Sequence, residues 1–436
     1  MKKLLIAGAA LVVLAAGIWL VAAPEEEPAE GRRDEATTES DEPEQDQDED
    51  TGRLLAVSEI LSDRARAVVD DDRSAFLSSI DPGETGFRKK QRRVFERLTS
   101  LRLGRYELRQ QVFGKDLARR EHDRRYGSAD DVFIPPVEET YRFKGYDDSD
   151  FVSSLFFTFV LRDGEWLIAA DDDLKGRRTT ERNLWDYGSV KQTRGKNLTL
   201  IQHPCRKAGC VELGASFMQV AEKARRRVNQ RWRGPWNGRV VVLATSSRRE
   251  VRRIIDVDYA ISNFAAFAYS PYLATGYSPA RIVVDRATLE GRSPDIIELI
   301  LTHEIAHVAT RRASGPHIPL WLEEGLAEWM ARVPGDSADL YYANQVTTGA
   351  VEPRLATDRQ FRKGTADELF LHYQSSRTAV AYFIERWGYD RFVRFYKMLG
   401  DSHNESGTRA EHLRSAMRRF TGLSPSKFER QWADSI

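Results

Sequence analysis

From Ser293 to His307 the chain reads SPDIIELILTHEIAH, and no other stretch restricts its fold as tightly. Ser293 can cap a helix, Pro294 suits the first turn, and Asp295 complements the helix dipole. Ile296, Ile297, Leu299, Ile300 and Leu301 then run without a breaker into His303-Glu304-Ile305-Ala306-His307. So apolar a helix belongs in a core, yet it carries two imidazoles and a carboxylate into that core. Residues i and i+4 stand about 6 Å apart on one helical face. Two imidazoles so placed can both reach one Zn²⁺ at about 2.0–2.1 Å. Glu304 points close to such a metal without having to bind it. It can take a proton from an activated water and return it to a leaving amine. The bland alternative, two satisfied core histidines, leaves Glu304 without a purpose.

A catalytic zinc needs a third protein ligand and one open position. Downstream stands Pro319-Leu320-Trp321-Leu322-Glu323-Glu324-Gly325-Leu326-Ala327-Glu328-Trp329, whose three carboxylates all lie within reach on spacing alone. Pro319 can start a second helix, and Gly325, lacking a side chain, allows that helix to approach the first closely.

The pair H-E-I-A-H and W-L-E-E-G-L-A resembles the gluzincin metallopeptidases, among them thermolysin-like and aminopeptidase N-type enzymes. The resemblance covers about residues 197–436 and is most specific over 296–330. It implies that the Glu directly before Gly binds zinc, here Glu324, seventeen residues after His307. The spacing is slightly shorter than in aminopeptidase N-type enzymes, which keeps Glu323 in contention. Glu328, one turn on, becomes a supporting carboxylate. No third histidine follows in the metzincin pattern. The resemblance also implies an oxyanion-stabilising tyrosine in Leu371-His372-Tyr373-Gln374-Ser375-Ser376, with Tyr373 at the matching position and His372 as the alternative donor. It further implies that an edge strand ahead of the motif helix pairs with substrate backbone, which points to Ile282–Val284. The exopeptidase glycine motif of the aminopeptidases is not visible.

Around this centre the elements fit an α+β chain of two domains, the natural expectation for 436 residues. In residues 197–436, strands are expected over Leu198–Gln202, Arg239–Ala244 and Ala280–Asp285, and helices over Phe217–Trp232 and Arg249–Ile255. From Pro294 on the chain reads as mostly helical: a thermolysin-like mixed sheet followed by a helical half. Residues 52–175 begin with helical spacing (Leu54, Leu55, Val57, Ile60, Leu61, Ala65, Val68, Val69) and a second helix over Gly86–Leu98. Strand-like runs follow at Leu101–Phe113, Val132–Phe143, Phe151–Arg162 and Glu165–Ala170, with Asp163-Gly164 as a hairpin turn. This order loosely resembles the cone-like nuclear-transport-factor fold. Residues 176–196 read as a polar linker.

The N-terminus sets the expected compartment. Lys2-Lys3 precede twenty apolar residues, Leu4–Ala23, enough to span a bilayer as one helix. Residues 1–23 therefore read as a signal anchor with the body outside, or as a cleaved signal if Val21-Ala22-Ala23 is cut. Residues 24–51 form an acidic linker; positions 24–50 hold fourteen acidic against two basic side chains. Like charges repel there and almost nothing can be buried, so the linker reads as disordered. The remaining body carries a formal excess of ten positive charges, without the basic-aromatic interleaving of a nucleic-acid binder. Cys205 and Cys210, the only cysteines, either form a small disulfide loop or stand as two thiols. Together these readings lead us to expect a membrane-anchored, extracytoplasmic zinc metallopeptidase acting on peptide or protein substrates. The alternatives are a non-catalytic surface-binding protein with a structural zinc, and an amidase acting on a non-peptide bond.

Overall fold

A computed structural model describes residues 14–18, 44–111, 115–176, 179–205, 212–255, 264–270, 272–273, 276–401 and 406–436. The main chain divides at Val190 into two compact units, each mixing helices with sheet.

The first unit opens with helices Glu44–Val69, Arg73–Ser78 and Thr85–Thr99. The first of these begins inside the segment read as an acidic linker. Acidic sequence is tolerated at that end because a helix dipole favours negative charge at its N-terminus. Two antiparallel three-stranded sheets follow: Leu103–Gln110, Pro136–Phe143 and Phe151–Phe156 in one, Asp131–Phe133, Thr158–Arg162 and Glu165–Ala170 in the other. Two runs read as single strands are each split between the sheets. Pro135-Pro136 interrupts the first, since proline cannot donate to a ladder, and the chain changes sheet at Phe157 in the second. The Asp163-Gly164 turn forms as expected, both residues at positive φ (51° and 80°). Within 176–196, read as a linker, Leu184–Tyr187 is a helix and Lys191–Arg194 a strand. Leu184 and Trp185 of helix Leu184–Tyr187 are buried against the first unit's aromatic core, where Trp185 meets Tyr141 and Phe143 edge-on.

The second unit is built on a mixed six-stranded sheet ordered Leu14–Ile18, Phe264–Tyr269, Arg281–Asp285, Val240–Thr245, Leu198–Gln202, Lys191–Arg194. Its centre is parallel, from Leu198–Gln202 through Val240–Thr245 to Arg281–Asp285. Such strands are covered on both faces, which explains their unbroken apolar runs. Arg281–Asp285 is an interior strand, flanked by Val240–Thr245 and Phe264–Tyr269, so Ile282–Val284 has no free edge to offer an extended peptide. Leu14–Ile18 pairs in parallel with Phe264–Tyr269. These five residues, inside the run Leu4–Ala23, are a strand paired with a neighbour and not part of a helix. Among the described residues no helix is long and apolar enough to cross a membrane. The rest of that segment lies outside the described residues.

From Pro294 the unit is helical, as expected: Pro294–Thr310, Leu320–Ala331, Ser337–Thr347, Asp358–Lys363, Ala366–Trp387, Tyr389–Asp401, Arg409–Thr421 and Pro425–Ala433. Phe383, Phe392, Phe395 and Phe428 form an aromatic core among the last of these. Helix Ala215–Arg231 packs on the motif helix Pro294–Thr310 and clamps it through Lys223 and Arg227 to Glu298 (2.6 and 3.4 Å).

Candidate metal centre

The motif helix starts where its cap residues place it: the Ser293 hydroxyl accepts from the Ile296 amide, and Pro294 opens the first turn. Almost every residue from Ile300 to Thr310 is buried. The second helix begins after Pro319, and three turns of it are buried as well. Its close approach at Gly325 is made to a third helix rather than to the motif helix. A Cβ there would stand 2.4 Å from the Ser376 carbonyl oxygen, on Ala366–Trp387. Gly325 therefore seats Leu320–Ala331 between its two neighbours and aims Glu324 and Glu328 at the motif helix.

Three side-chain atoms converge. His303 Nε2 and His307 Nε2 are 3.1 Å apart, and Glu324 Oε2 lies 3.1 Å from the first and 3.4 Å from the second. The other nitrogen of His303, Nδ1, lies 2.8 Å from Glu328 Oε1. A carboxylate can only accept, so the Nδ1 proton resides on His303 and the Nε2 lone pair is left facing His307 and Glu324. Three lone-pair donors pointing at one spot repel unless a cation sits among them. Four ligands at about 2.0–2.1 Å in a tetrahedron stand about 3.3 Å apart, which the three measured separations match. The residues present thus fit a zinc ion.

Electrostatics follow from burial and proximity. Without a cation among these atoms, burial works against a charge on His303, but Glu324 and Glu328 outweigh it and raise the imidazole to about 10, so that Nε2 then carries a proton toward Glu324. Burial lowers His307. It would raise Glu324, but the two histidines hold that carboxyl below its ordinary value. Glu304 is pushed up to about 8, chiefly by burial and then by Glu324. The Ala268 amide lowers it somewhat, and neither Glu304 oxygen has a partner within hydrogen-bond geometry.

Glu323 turns elsewhere. Its buried carboxyl interacts with Arg311 and Ser314, and burial with Glu324 beside it raises its pKa well above the ordinary value. Tyr373 is buried with its ring edge-on to His303 (5.7 Å between centroids) and to Phe361 (5.5 Å). It lies inside the helix Ala366–Trp387, which begins at Ala366 because Thr365 and Glu368 form a capping box. His372 packs on Phe361. Cys205 is in a disulfide; Cys210 lies outside the described residues.

The sequence reading did not reach Arg332, Asp336 and Arg377. Arg332 Nε donates to Glu328 Oε2 (2.5 Å) and Arg332 Nη1 to Asp336 Oδ2 (3.3 Å). The four-residue steps Glu328–Arg332–Asp336 were the available signal. Arg377, forty-odd residues on, gave none.

No protein-family profile matches the chain, and no curated protein does. Among solved structures, it is similar to the M1 zinc metallopeptidase from Deinococcus radiodurans, at 13% identity and a TM-score of 0.31 over 56% of this chain and 51% of that one. A mutant of that enzyme bound to a Tyr-Ser-Ala substrate matches at 14% identity and the same TM-score, over 56% and 51% of the two chains. The chain spans about half the length of these structures. At that TM-score the likeness leaves function to be argued from this chain's own residues.

Proposed function

We propose that this chain is a zinc-dependent peptidase of gluzincin type, with His303, His307 and Glu324 holding the metal. The observation that supports this is the buried triangle of Nε2, Nε2 and Oε2 atoms at 3.1, 3.1 and 3.4 Å. Zinc held by these three residues would supply Lewis acidity toward a water and a substrate carbonyl. Glu304 is the general base: its buried, unbonded carboxylate receives the proton from that water and passes it to the leaving amine. Tyr373, beside His303, donates its phenol to the developing oxyanion. Peptide or protein is the substrate class. The Cys205 disulfide supports an oxidising, extracytoplasmic setting.

The test pairs metal analysis with a peptide-library cleavage assay on wild type and Glu304→Gln. About one zinc per chain in both proteins, with cleavage only by wild type, is the expected result. Metal-free wild type, or undiminished cleavage by the variant, would end the proposal. Zinc without any cleavage by wild type would return the chain to the structural-site alternative.

A further inference from the structure

A ladder of alternating charges leaves the metal cluster on its far side. Glu328 Oε1 accepts from His303 Nδ1 at 2.8 Å, and Glu328 Oε2 accepts from Arg332 Nε at 2.5 Å. Arg332 reaches Asp336, whose Oδ1 caps helix Ser337–Thr347 by accepting from the Ala338 and Asp339 amides (3.0 Å each). Arg377, 4% exposed, closes the outer end against Asp336 (3.6 Å), Asp339 and the Val333 carbonyl.

We propose that Arg332 is a positioning residue for the metal centre, acting only through Glu328. This rests on the zinc reading above and deepens it. Glu328 is 4% exposed, and Arg332 is the one guanidinium among the described residues that hydrogen-bonds it. A buried carboxylate bonded to a histidine alone lowers its energy by swinging toward water. It then stops holding the His303 ring in the orientation that turns Nε2 to the cluster. Arg332 blocks this swing, because its Nε holds Glu328 Oε2 while its Nη1 is tied to Asp336. Asp336 holds the guanidinium in turn, and the helix cap holds Asp336. Hydrogen-bond partners behind a ligand typically set metal affinity by 10–100-fold.

The measurement is zinc affinity of the full-length chain by chelator competition, together with the melting temperature of the metal-free protein. Arg332→Met should weaken zinc binding by about 10–100-fold, and Arg332→Lys should restore much of it by keeping the charge. In a Glu328→Gln background, Arg332→Met should cost nothing further, since the residue through which it acts is already gone. A merely structural arginine gives another pattern: a lowered melting temperature with zinc affinity unchanged, or the same loss of affinity in both backgrounds. Either of those overturns the proposal. Wild type that takes up no zinc sinks the reading underneath as well, whereas zinc-binding wild type with an unaffected Arg332→Met sinks this inference alone.

Discussion

Gly325→Ala is the substitution on which the geometry of this site can be judged most sharply, because two effects of opposite sign meet there. In an isolated helix interior, alanine in place of glycine stabilises by about 1 kcal/mol. Here the new Cβ would meet the Ser376 carbonyl oxygen at 2.4 Å, its carbon at 2.7 Å and Val380 Cγ2 at 2.9 Å. Two of those three atoms are backbone and cannot rotate away. The helices must part by roughly 0.6–1 Å, and overpacking of this kind costs about 1–3 kcal/mol. The cost outweighs the propensity gain, so a net loss of up to about 2 kcal/mol of stability is expected. The same displacement reaches Glu324, the adjacent residue, while metal–ligand distances tolerate only about ±0.2 Å. Zinc affinity should therefore fall by at least about tenfold. Thermal denaturation of the metal-free protein and chelator competition read the two effects separately. A variant that melts higher than wild type and binds zinc equally well would refute the reasoning, since it would mean that the two helices are not in contact at Gly325.

Tyr373→Phe should retain zinc and lose about 10²–10³ in kcat, as for removal of one oxyanion donor; an unchanged kcat would remove Tyr373 from the chemistry. Saturating zinc at about a hundred times its Kd should stabilise the second unit by about 2.7 kcal/mol in a melting experiment, and no shift would argue against a preformed site. In the first unit, Glu139 accepts from the Tyr106 hydroxyl (3.0 Å) and the Asn183 amide (2.9 Å), and burial, then Asp186, raise it to about 8. Between the ordinary carboxyl value near 4.5 and about 8, the folded state holds a proton that the unfolded state has released. That unit should accordingly lose stability as pH rises through the interval, by up to about 1.4 kcal/mol per pH unit. Glu139→Gln should flatten the decline in calorimetric melts at pH 5, 6.5 and 8; an identical slope in the variant would place its origin elsewhere.

Local order was legible wherever a single helix or strand carried its own signal. Ser293-Pro294-Asp295 announced the motif helix, and apolar runs announced Leu198–Gln202, Val240–Thr245 and Arg281–Asp285 within a residue or two. The i,i+4 spacing put His303 and His307 together, and the neighbours of Glu324 show why spacing could not choose between it and Glu323. Adjacent helical residues point about 100° apart, and only the packing against Ser376 decides which of them faces the motif helix. Strand neighbours were illegible for a related reason. Nothing within Ala280–Asp285 records that Phe264–Tyr269 will lie beside it, so an interior strand was read as an edge. Leu4–Ala23 has the composition of a membrane span, and composition is silent on the competing sheet partner that Leu14–Ile18 finds.

If a cation is held there as proposed, the balance of charge around the motif helix bears on its valence independently of ligand distances. Glu304, Glu323, Glu324 and Glu328 are all buried in this region. Against them stand two guanidiniums, Arg311 near Glu323 and Arg332 on Glu328. Four carboxylates and two fixed cations leave two negative charges unmatched, in surroundings where an unmatched charge costs several kcal/mol. Without a metal the difference has to be made up by protons, and the upward displacement of His303, Glu304 and Glu323 is how that demand is expressed. A divalent cation between His303, His307 and Glu324 meets the same demand and leaves Glu304 ionised, the state in which a general base is useful. A monovalent ion would satisfy half of it. Replacing Glu323 by glutamine, which removes one of the four charges without touching the triangle of donors, should therefore leave zinc binding within about threefold of wild type; losing zinc altogether would show that Glu323, and not Glu324, completes the coordination.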